Sequence, residues 1–267
     1  MTPAPPLLTI AIPTYNRLEY LKELLPEMIK QCEPYPEIEI LVSDNCTTDG
    51  SFSYIRDLAT KNKMRYRANS SNVGADENFV RCVEAAKGKY IWLFGDDEIL
   101  CKGAINKMIS TLETYPASLF IIGNTRRIKP GPGSQFFRTY KEFIIYMKPS
   151  DVLDHTLITC NIFQKNMFDT SIARKYQSTN YGHMRAVITS LRKRGTVYFI
   201  DFPIFIIRNI RAPLQEPVPL YLVLKHIWYL LYLGMIYPKM LIYAIRYAAG
   251  MIYFKILPKS PHTPVVI

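Results

Sequence analysis

Cysteine is sparse in this sequence and follows no pattern. Five residues, Cys32, Cys46, Cys82, Cys101 and Cys160, are scattered without a CxxC pair or a Cys/His cluster. Neither a disulfide framework nor a structural zinc site is indicated, and a reducing, cytosolic compartment is the simplest expectation. The first residues lack a basic stretch, and Pro3, Pro5 and Pro6 interrupt any apolar helix, so no secretory leader is expected. No internal repeat is evident. Acidic residues stop at Glu216, and long apolar runs are missing beyond it. The longest uncharged stretch there, His226 to Pro238, falls short of the ~20 residues that a membrane-spanning helix needs.

What is present bounds the answer further. Of 267 residues, 49% are hydrophobic and 21% charged, enough for one packed domain with a further segment and too apolar for disorder. The formal charge of +11 points to an anionic partner: nucleic acid, a phosphate-bearing substrate or an acidic membrane surface. No nucleic-acid motif accompanies the charge, so nucleic acid is not expected.

The first two thirds of the chain alternates strand-like and helix-like segments. Leu7 to Ile12 is an apolar, β-branched run closed by Pro13, and Leu18 to Lys30 carries apolar residues at helical spacing. Strands are expected at 37–43, 64–68, 90–94, 118–123 and 197–202, with strand-like runs at 143–145 and 157–163. Helices are expected at 51–61, 78–86, 104–114 and 184–193. This order predicts an α/β fold with a mostly parallel central sheet and helices on both faces. Polar residues gather after three predicted strands, as Thr14-Tyr15-Asn16-Arg17, Asp44-Asn45 and Asp96-Asp97. Ligands of open α/β sheets bind outside those carboxyl ends. The breaker-rich stretch Lys129 to Gly133 reads as a loop.

From Pro213 the composition changes. Tyr221 to Leu257 mixes Leu, Ile, Tyr, Met and Trp with Lys225, Lys239, Arg246 and Lys255. That mixture suits short helices lying in a membrane interface, and it also suits a helical pair packed on protein. The expected division is a catalytic domain over 1–212 and a membrane-associating helical tail over 213–267.

Four blocks in order carry a resemblance: Thr9 to Arg17; Ile40 to Gly50; Asn72-Val73-Gly74 with Asn78; and Gly88 to Glu98. Together they resemble glycosyltransferase family 2, with its GT-A fold, and within it the bacterial O-antigen and surface-polysaccharide transferases of the abequosyltransferase-like kind. The match runs from about Leu7 to Ile200. It implies an inverting transfer of a sugar from a nucleoside diphosphate to a saccharide. The expected acceptor is carried on a polyprenyl diphosphate, with the enzyme peripheral on an anionic membrane surface, the cytoplasmic face of the inner membrane. The resemblance implies that Asp44 reads the base and that Pro13, Thr14, Tyr15, Asn16, Arg17, Asn45, Asn72, Gly74, Asn78 and Asp96 line the nucleotide pocket. Arg17 would face a phosphate or take part in an exposed ion pair. Asp96 and Asp97 are adjacent carboxylates that repel each other unless a metal or protons compensate, and a diphosphate needs a divalent cation, so Mg2+ or Mn2+ is the expected cofactor.

Two departures from the family pattern stand out. The usual Asp-x-Asp is here Phe94-Gly95-Asp96, so the first carboxylate is missing. The usual Glu-Asp pair before the last strand is replaced by His183-Met184. His183 is therefore a candidate base or metal ligand, alongside Asp97. Asp151, Asp154 and Glu98 are held in reserve as the base. Two other functions fit less well. A nucleotidyltransferase would open with a Gly-rich phosphate loop, and the Pro13 to Asn16 turn has no glycine. A relative that binds a nucleotide or glycan without catalysis is favoured by the two departures alone.

Overall fold

The computed structural model describes residues 4–123, 133–146, 157–177 and 182–208. All of them fall in a unit spanning Met1–Arg211. The expected tail, the reserve carboxylates Asp151 and Asp154, and most of the loop at 129–133 lie outside the described residues.

Seven of the segments expected from the sequence form the frame of the sheet and its cover. They are strand β1 (Leu8–Thr14), helix α1 (Leu18–Cys32), β2 (Ile38–Asp44), α2 (Ser51–Lys61), β3 (Arg65–Ala68), α3 (Ala75–Ala85) and β4 (Tyr90–Leu93). A two-residue strand β5 (Ile99–Leu100), α4 (Ala104–Thr114) and β6 (Leu119–Ile122) follow. Next come β7 (Gln135–Phe137), α5 (Tyr140–Tyr146), a 3-10 turn at Ile158–Cys160, β8 (Asn161–Gln164) and α6 (Thr170–Lys175). The described chain ends with α7 (Gly182–Arg194), β9 (Val197–Ile200) and β10 (Phe205–Ile206).

The main sheet has eight strands in the order β3-β2-β1-β4-β8-β6-β9-β7. β1 pairs in parallel with both β2 and β4, and β2 in parallel with β3. β8 enters between β4 and β6 antiparallel to both, so the sheet is mixed rather than purely parallel. β5 and β10 form a separate antiparallel pair. Every residue of β1, β2 and β4 is buried, as strands covered on both faces must be. Leu21, Leu24, Leu25 and Met28 of α1 and Ile105, Met108, Ile109 and Leu112 of α4 pack into one core with Ile10, Ile12, Ile40 and Trp92.

The amino ends of the strands are tied by a buried polar knot. Glu39 Oε2 accepts from the Thr9 hydroxyl at 2.6 Å and from the Lys87 N–H at 2.8 Å, while Arg65 pairs with Oε1. Thr9 Oγ1 in turn accepts from the Gly88 N–H at 2.8 Å. A Cβ on Gly88 would lie 2.5 Å from the Thr9 backbone nitrogen, so only glycine fits where the chain enters β4.

Two strand expectations are corrected. The run at 143–145 belongs to helix α5, because Tyr140, Phe143 and Ile144 bury one face at spacings of three and four. The Thr139 hydroxyl accepts from the Glu142 N–H at 3.1 Å and opens the helix. The run at 157–163 is a strand only from Asn161, the residues before it making the 3-10 turn. The short elements β5, β7, β10 and α6 had no expectation from the sequence.

Candidate active site

Parallel pairing of β1 with β2 and β4 brings three carboxyl ends to one edge of the sheet. The backbone continues that alignment past the strands: the Asn45 N–H donates to Thr14 O, and the Asn69 N–H to Asp44 O, both at 2.9 Å. A cleft of about 620 Å³ opens at this edge, within the ~300–1,000 Å³ usual for small-molecule sites.

One wall of the cleft is built from asparagines. Asn45 Nδ2 donates to Asn72 Oδ1 at 2.8 Å, and Asn45 Oδ1 accepts from Asn69 Nδ2 at 2.9 Å and from the Val73 N–H at 3.0 Å. Asn78 Oδ1 accepts from the Ser43 hydroxyl at 2.8 Å and from Asn69 Nδ2 at 3.1 Å, and its Nδ2 donates to Ser43 O at 3.1 Å. Gly74 turns the chain into α3 with φ of 83°, a left-handed value that suits glycine. Its N–H donates to Asn72 Oδ1 at 2.9 Å.

The loop after β4 supplies the charge. The Thr14 hydroxyl donates to Asp96 Oδ2 at 2.7 Å. Burial pushes the Asp96 carboxyl up to about 6, with the neighbouring Asp97 charge adding to the rise; the Thr14 bond and the nearby Arg17 act against it. Glu98 is buried, its Oε2 has no hydrogen-bond partner, and burial with the Asp97 charge pushes it up to about 8. Arg17 lines the same cleft, its guanidinium over the Tyr20 ring at 5.2 Å, and no ion pair holds it among the described residues. Arg17 acts on Asp96, and Arg208 acts on Glu98 through its charge and a backbone hydrogen bond, both opposing the rise.

A third side comes from the turn before β8. Leu157, Ile158 and Thr159 line the cleft there. Thr159 Oγ1 accepts from the Gly95 N–H at 2.9 Å, and Thr159 O accepts from Trp92 Nε1 at 2.8 Å. This turn braces the acidic loop from the side opposite Thr14.

The residues expected from the sequence are distributed unevenly. Pro13, Thr14, Tyr15, Arg17, Asn45, Asn72, Gly74, Asn78, Asp96 and Asp97 all line the cleft, and so does Glu98. Asn16 and Asp44 are not among the lining residues. Asn16 adopts a left-handed φ of 52° and its Oδ1 accepts from the Thr48 N–H at 2.9 Å, fastening β1's turn to β2's. Asp44 is buried behind the cleft edge, with Oδ2 accepting from the Thr47 N–H at 3.2 Å and Oδ1 lacking any partner. His183 is not among the lining residues either. α7 packs on α3, so the imidazole meets the Phe79 ring edge-on at 5.7 Å, and Phe79 rather than His183 reaches the cleft. No group of three or more His, Cys, Asp or Glu gathers among the described residues to hold a metal. Thr159, Phe79 and Ile207 were missed from the sequence. Thr159 sits in an ordinary apolar run, and only the antiparallel insertion of β8 carries it to Gly95.

A cleft of small-molecule size thus opens outside parallel strand ends, with an acidic loop on one side. The chain belongs to glycosyl transferase family 2, whose model matches residues 9–177. Among curated relatives it is similar to the abequosyltransferase RfbV of Salmonella typhimurium, 31% identical over 227 residues, 76% of this chain and 67% of that protein. It is also similar to the poly(ribitol-phosphate) β-N-acetylglucosaminyltransferase TarS of Staphylococcus aureus, 25% identical over 57% of this chain and 28% of that protein. The chain therefore spans about two thirds of the first and under a third of the second. Solved structures share the fold. TarS 1–349 in complex with UDP-GlcNAc aligns with a TM-score of 0.62 at 14% identity, covering 85% of this chain and 66% of that one. The mannosyltransferase PcManGT of Pyrobaculum calidifontis, in complex with GDP-Man and Mn2+, aligns at 0.56 and 13% identity, covering 94% and 76%.

Proposed function

We propose that this glycosyltransferase takes its sugar from a nucleoside diphosphate bound across the cleft, in an inverting, cation-assisted transfer. One observation carries the reading: the Thr14-bound Asp96 and its neighbour Asp97 face a preformed asparagine wall across a cleft of nucleotide size, with Arg17 as the nearby cation. Asp44 supports it from behind, because a buried carboxylate oxygen without a partner is a poised acceptor for a base N–H.

The residues suit a divalent cation. Burial disfavours the charge of Asp96, with Asp97 beside it, and one or two carboxylates with substrate phosphates and water are a sufficient shell for Mg2+ or Mn2+. When bound, the ion supplies neutralisation of the leaving diphosphate. Arg17 adds a second positive charge at the same mouth, and Tyr15 offers an exposed aromatic face to the base or ribose. The attacking hydroxyl must lose a proton. Glu98 is the cleft carboxylate outside the pair; with its carboxyl raised to about 8 it receives that proton only once its own has been lost, a loss that a cation bound beside it favours.

The acceptor is a saccharide on a polyprenyl diphosphate, met at the cytoplasmic face of the inner membrane. The similarity to an abequosyltransferase supports this, as does the acid-free basic and aromatic composition from Tyr221 to Leu257. Among the described residues no helix is long and apolar enough to cross a membrane; the tail is proposed to lie on an anionic bilayer, and cutting the chain before Pro213 should then abolish vesicle binding.

The test of the donor reading is direct. The protein is offered UDP-, GDP-, CDP- and dTDP-sugars with Mn2+ or Mg2+, and binding and hydrolysis are followed by calorimetry and nucleotide release. One nucleotide should bind, its turnover should stop in EDTA, and Asp97→Asn should lose turnover with its melting temperature kept. Failure of every nucleotide to bind would overturn the reading.

A further inference from the structure

Most polar side chains facing the cleft are already committed to protein partners. The Thr14 proton goes to Asp96, and the amides of Asn45 and Asn78 are engaged by Asn72, Asn69 and Ser43. Thr159 is different. It is 1% exposed and lines the cleft, and its oxygen accepts from the Gly95 N–H at 2.9 Å. Its own hydroxyl proton has no acceptor among the described residues. A hydroxyl is one donor and two acceptor positions, and a buried donor left unpaired costs ~1–3 kcal/mol. Gly95 packs closely against it: an added Cβ would stand 3.1 Å from Glu98 Cγ, 3.2 Å from Thr159 Oγ1 and 3.4 Å from Asp97 Oδ1.

Sheet order decides which part of a ligand comes there. The asparagine wall lies after β2 and β3, the acidic loop after β4, and Thr159 just before β8, in the spatial order β3-β2-β1-β4-β8. A nucleoside diphosphate sugar laid along that edge puts its nucleoside on the asparagines, its diphosphate at Asp96 and Asp97, and its sugar over Thr159. Leu157 and Ile158 flank that end with apolar surface, suited to the carbon face of a pyranose.

We infer that the Thr159 hydroxyl, held by Gly95 and facing the far end of the cleft, donates a hydrogen bond to a hydroxyl oxygen of the transferred sugar. The inference rests on the donor reading above. It makes Thr159 a substrate-contacting residue that links sugar recognition to the placing of the acidic loop, because one oxygen serves both bonds.

The experiment separates sugar from diphosphate. The full chain is titrated with Mn2+ and UDP, GDP, CDP or dTDP, and with the glucose ester of whichever nucleotide binds. Thr159→Val should weaken binding of the sugar ester, and lower its turnover, about tenfold more than it weakens binding of the free nucleoside diphosphate, any loss common to both being that of the Gly95 bond. Thr159→Ser should restore them. Equal losses for the two ligands would mean that Thr159 only holds the loop, and unchanged affinity for both would mean that it touches nothing; either overturns the inference. Should Thr159→Val fail to fold, the wild type is tested with the ring-deoxy glucose esters. One of them should bind about tenfold more weakly, and equal binding of all of them overturns the inference. A wild type that binds no nucleotide overturns the donor reading and this inference with it.

Discussion

Thr14 Oγ1 and Asp96 Oδ2 stand 2.7 Å apart, joining residues 82 positions distant in the chain. Thr14 is the last residue of β1 and Asp96 belongs to the loop after β4, so one hydroxyl fixes how the acidic loop faces the cleft. Thr14→Val keeps the shape and removes the donor. Hydrogen bonds to charged groups contribute ~1.5–3 kcal/mol, so the variant should need about tenfold more Mn2+ for half-maximal turnover. Thr14→Ser should behave as the wild type. A metal titration in which Thr14→Val superimposes on wild type would detach this bond from cation binding.

Asp44 makes a different demand. Its Oδ2 is held by the Thr47 N–H and its Oδ1 is buried without a partner. Asp44→Asn replaces one acceptor by a donor and should weaken nucleoside diphosphate binding by ~1–3 kcal/mol. Because the orphan oxygen costs stability in the absence of ligand, the same variant should melt no lower than the wild type. Titration calorimetry and a melting curve on one preparation check both halves.

His183 packs against Phe79, and Phe79 lines the cleft. His183→Ala should therefore lower the melting temperature by several degrees, as the loss of a buried ring contact does, while kcat falls only a few-fold. A base would instead lose ~10²–10⁴-fold in kcat with the melting temperature kept. A metal ligand would raise the Mn2+ requirement. Measuring kcat, metal dependence and melting temperature for His183→Ala and His183→Gln assigns the imidazole to one of the three.

Glu39 carries a pH dependence of known sign. Burial alone would raise its carboxyl, but the Thr9 hydroxyl, the Lys87 N–H and Arg65 together hold it below the usual carboxylate range. The folded protein then binds this proton less readily than the unfolded chain, whose glutamates titrate near ~4.3. The stabilisation is complete above that value and is lost as pH falls through the lower folded one. Glu39→Gln should cost ~1–3 kcal/mol at pH 7, and the gap to wild type should narrow below pH ~4. Denaturant melts at several pH values measure it; a gap that persists unchanged at pH 3 would show that the charge is not what stabilises the knot.

The frame of the fold was legible because burial on both faces leaves a plain signal. The run from Leu7 to Ile12 and that from Tyr90 to Phe94 read as strands, and polar residues stand where each ends. α2 and α4 run over Ser51–Lys61 and Ala104–Thr114, as their spacing predicts. Two features depend on partners far along the chain. β8 lies between β4 and β6 by antiparallel pairing, which no local pattern states, and it alone makes Thr159 a neighbour of Gly95. The imidazole of His183 turns on how α7 meets α3, a matter of packing and not of position in a motif. Phe143 shows the ambiguity of short apolar runs: three residues fit a strand or a helix, and buried Tyr140 with the Thr139 cap decided for the helix.

The asparagine wall has a thermodynamic consequence. Its amides are locked by one another and by Ser43, Val73 and Gly74 without any ligand. Side chains that must be ordered on association typically cost ~0.5–1.5 kcal/mol each, and this wall has already met that cost during folding. Recognition on this side should proceed with little change in conformational entropy, whereas Tyr15, 42% exposed, has freedom still to lose. A ligand's entropic penalty on this side is thereby concentrated in one aromatic ring, which makes Tyr15→Ala a variant whose weaker binding should show in the enthalpy more than in the entropy.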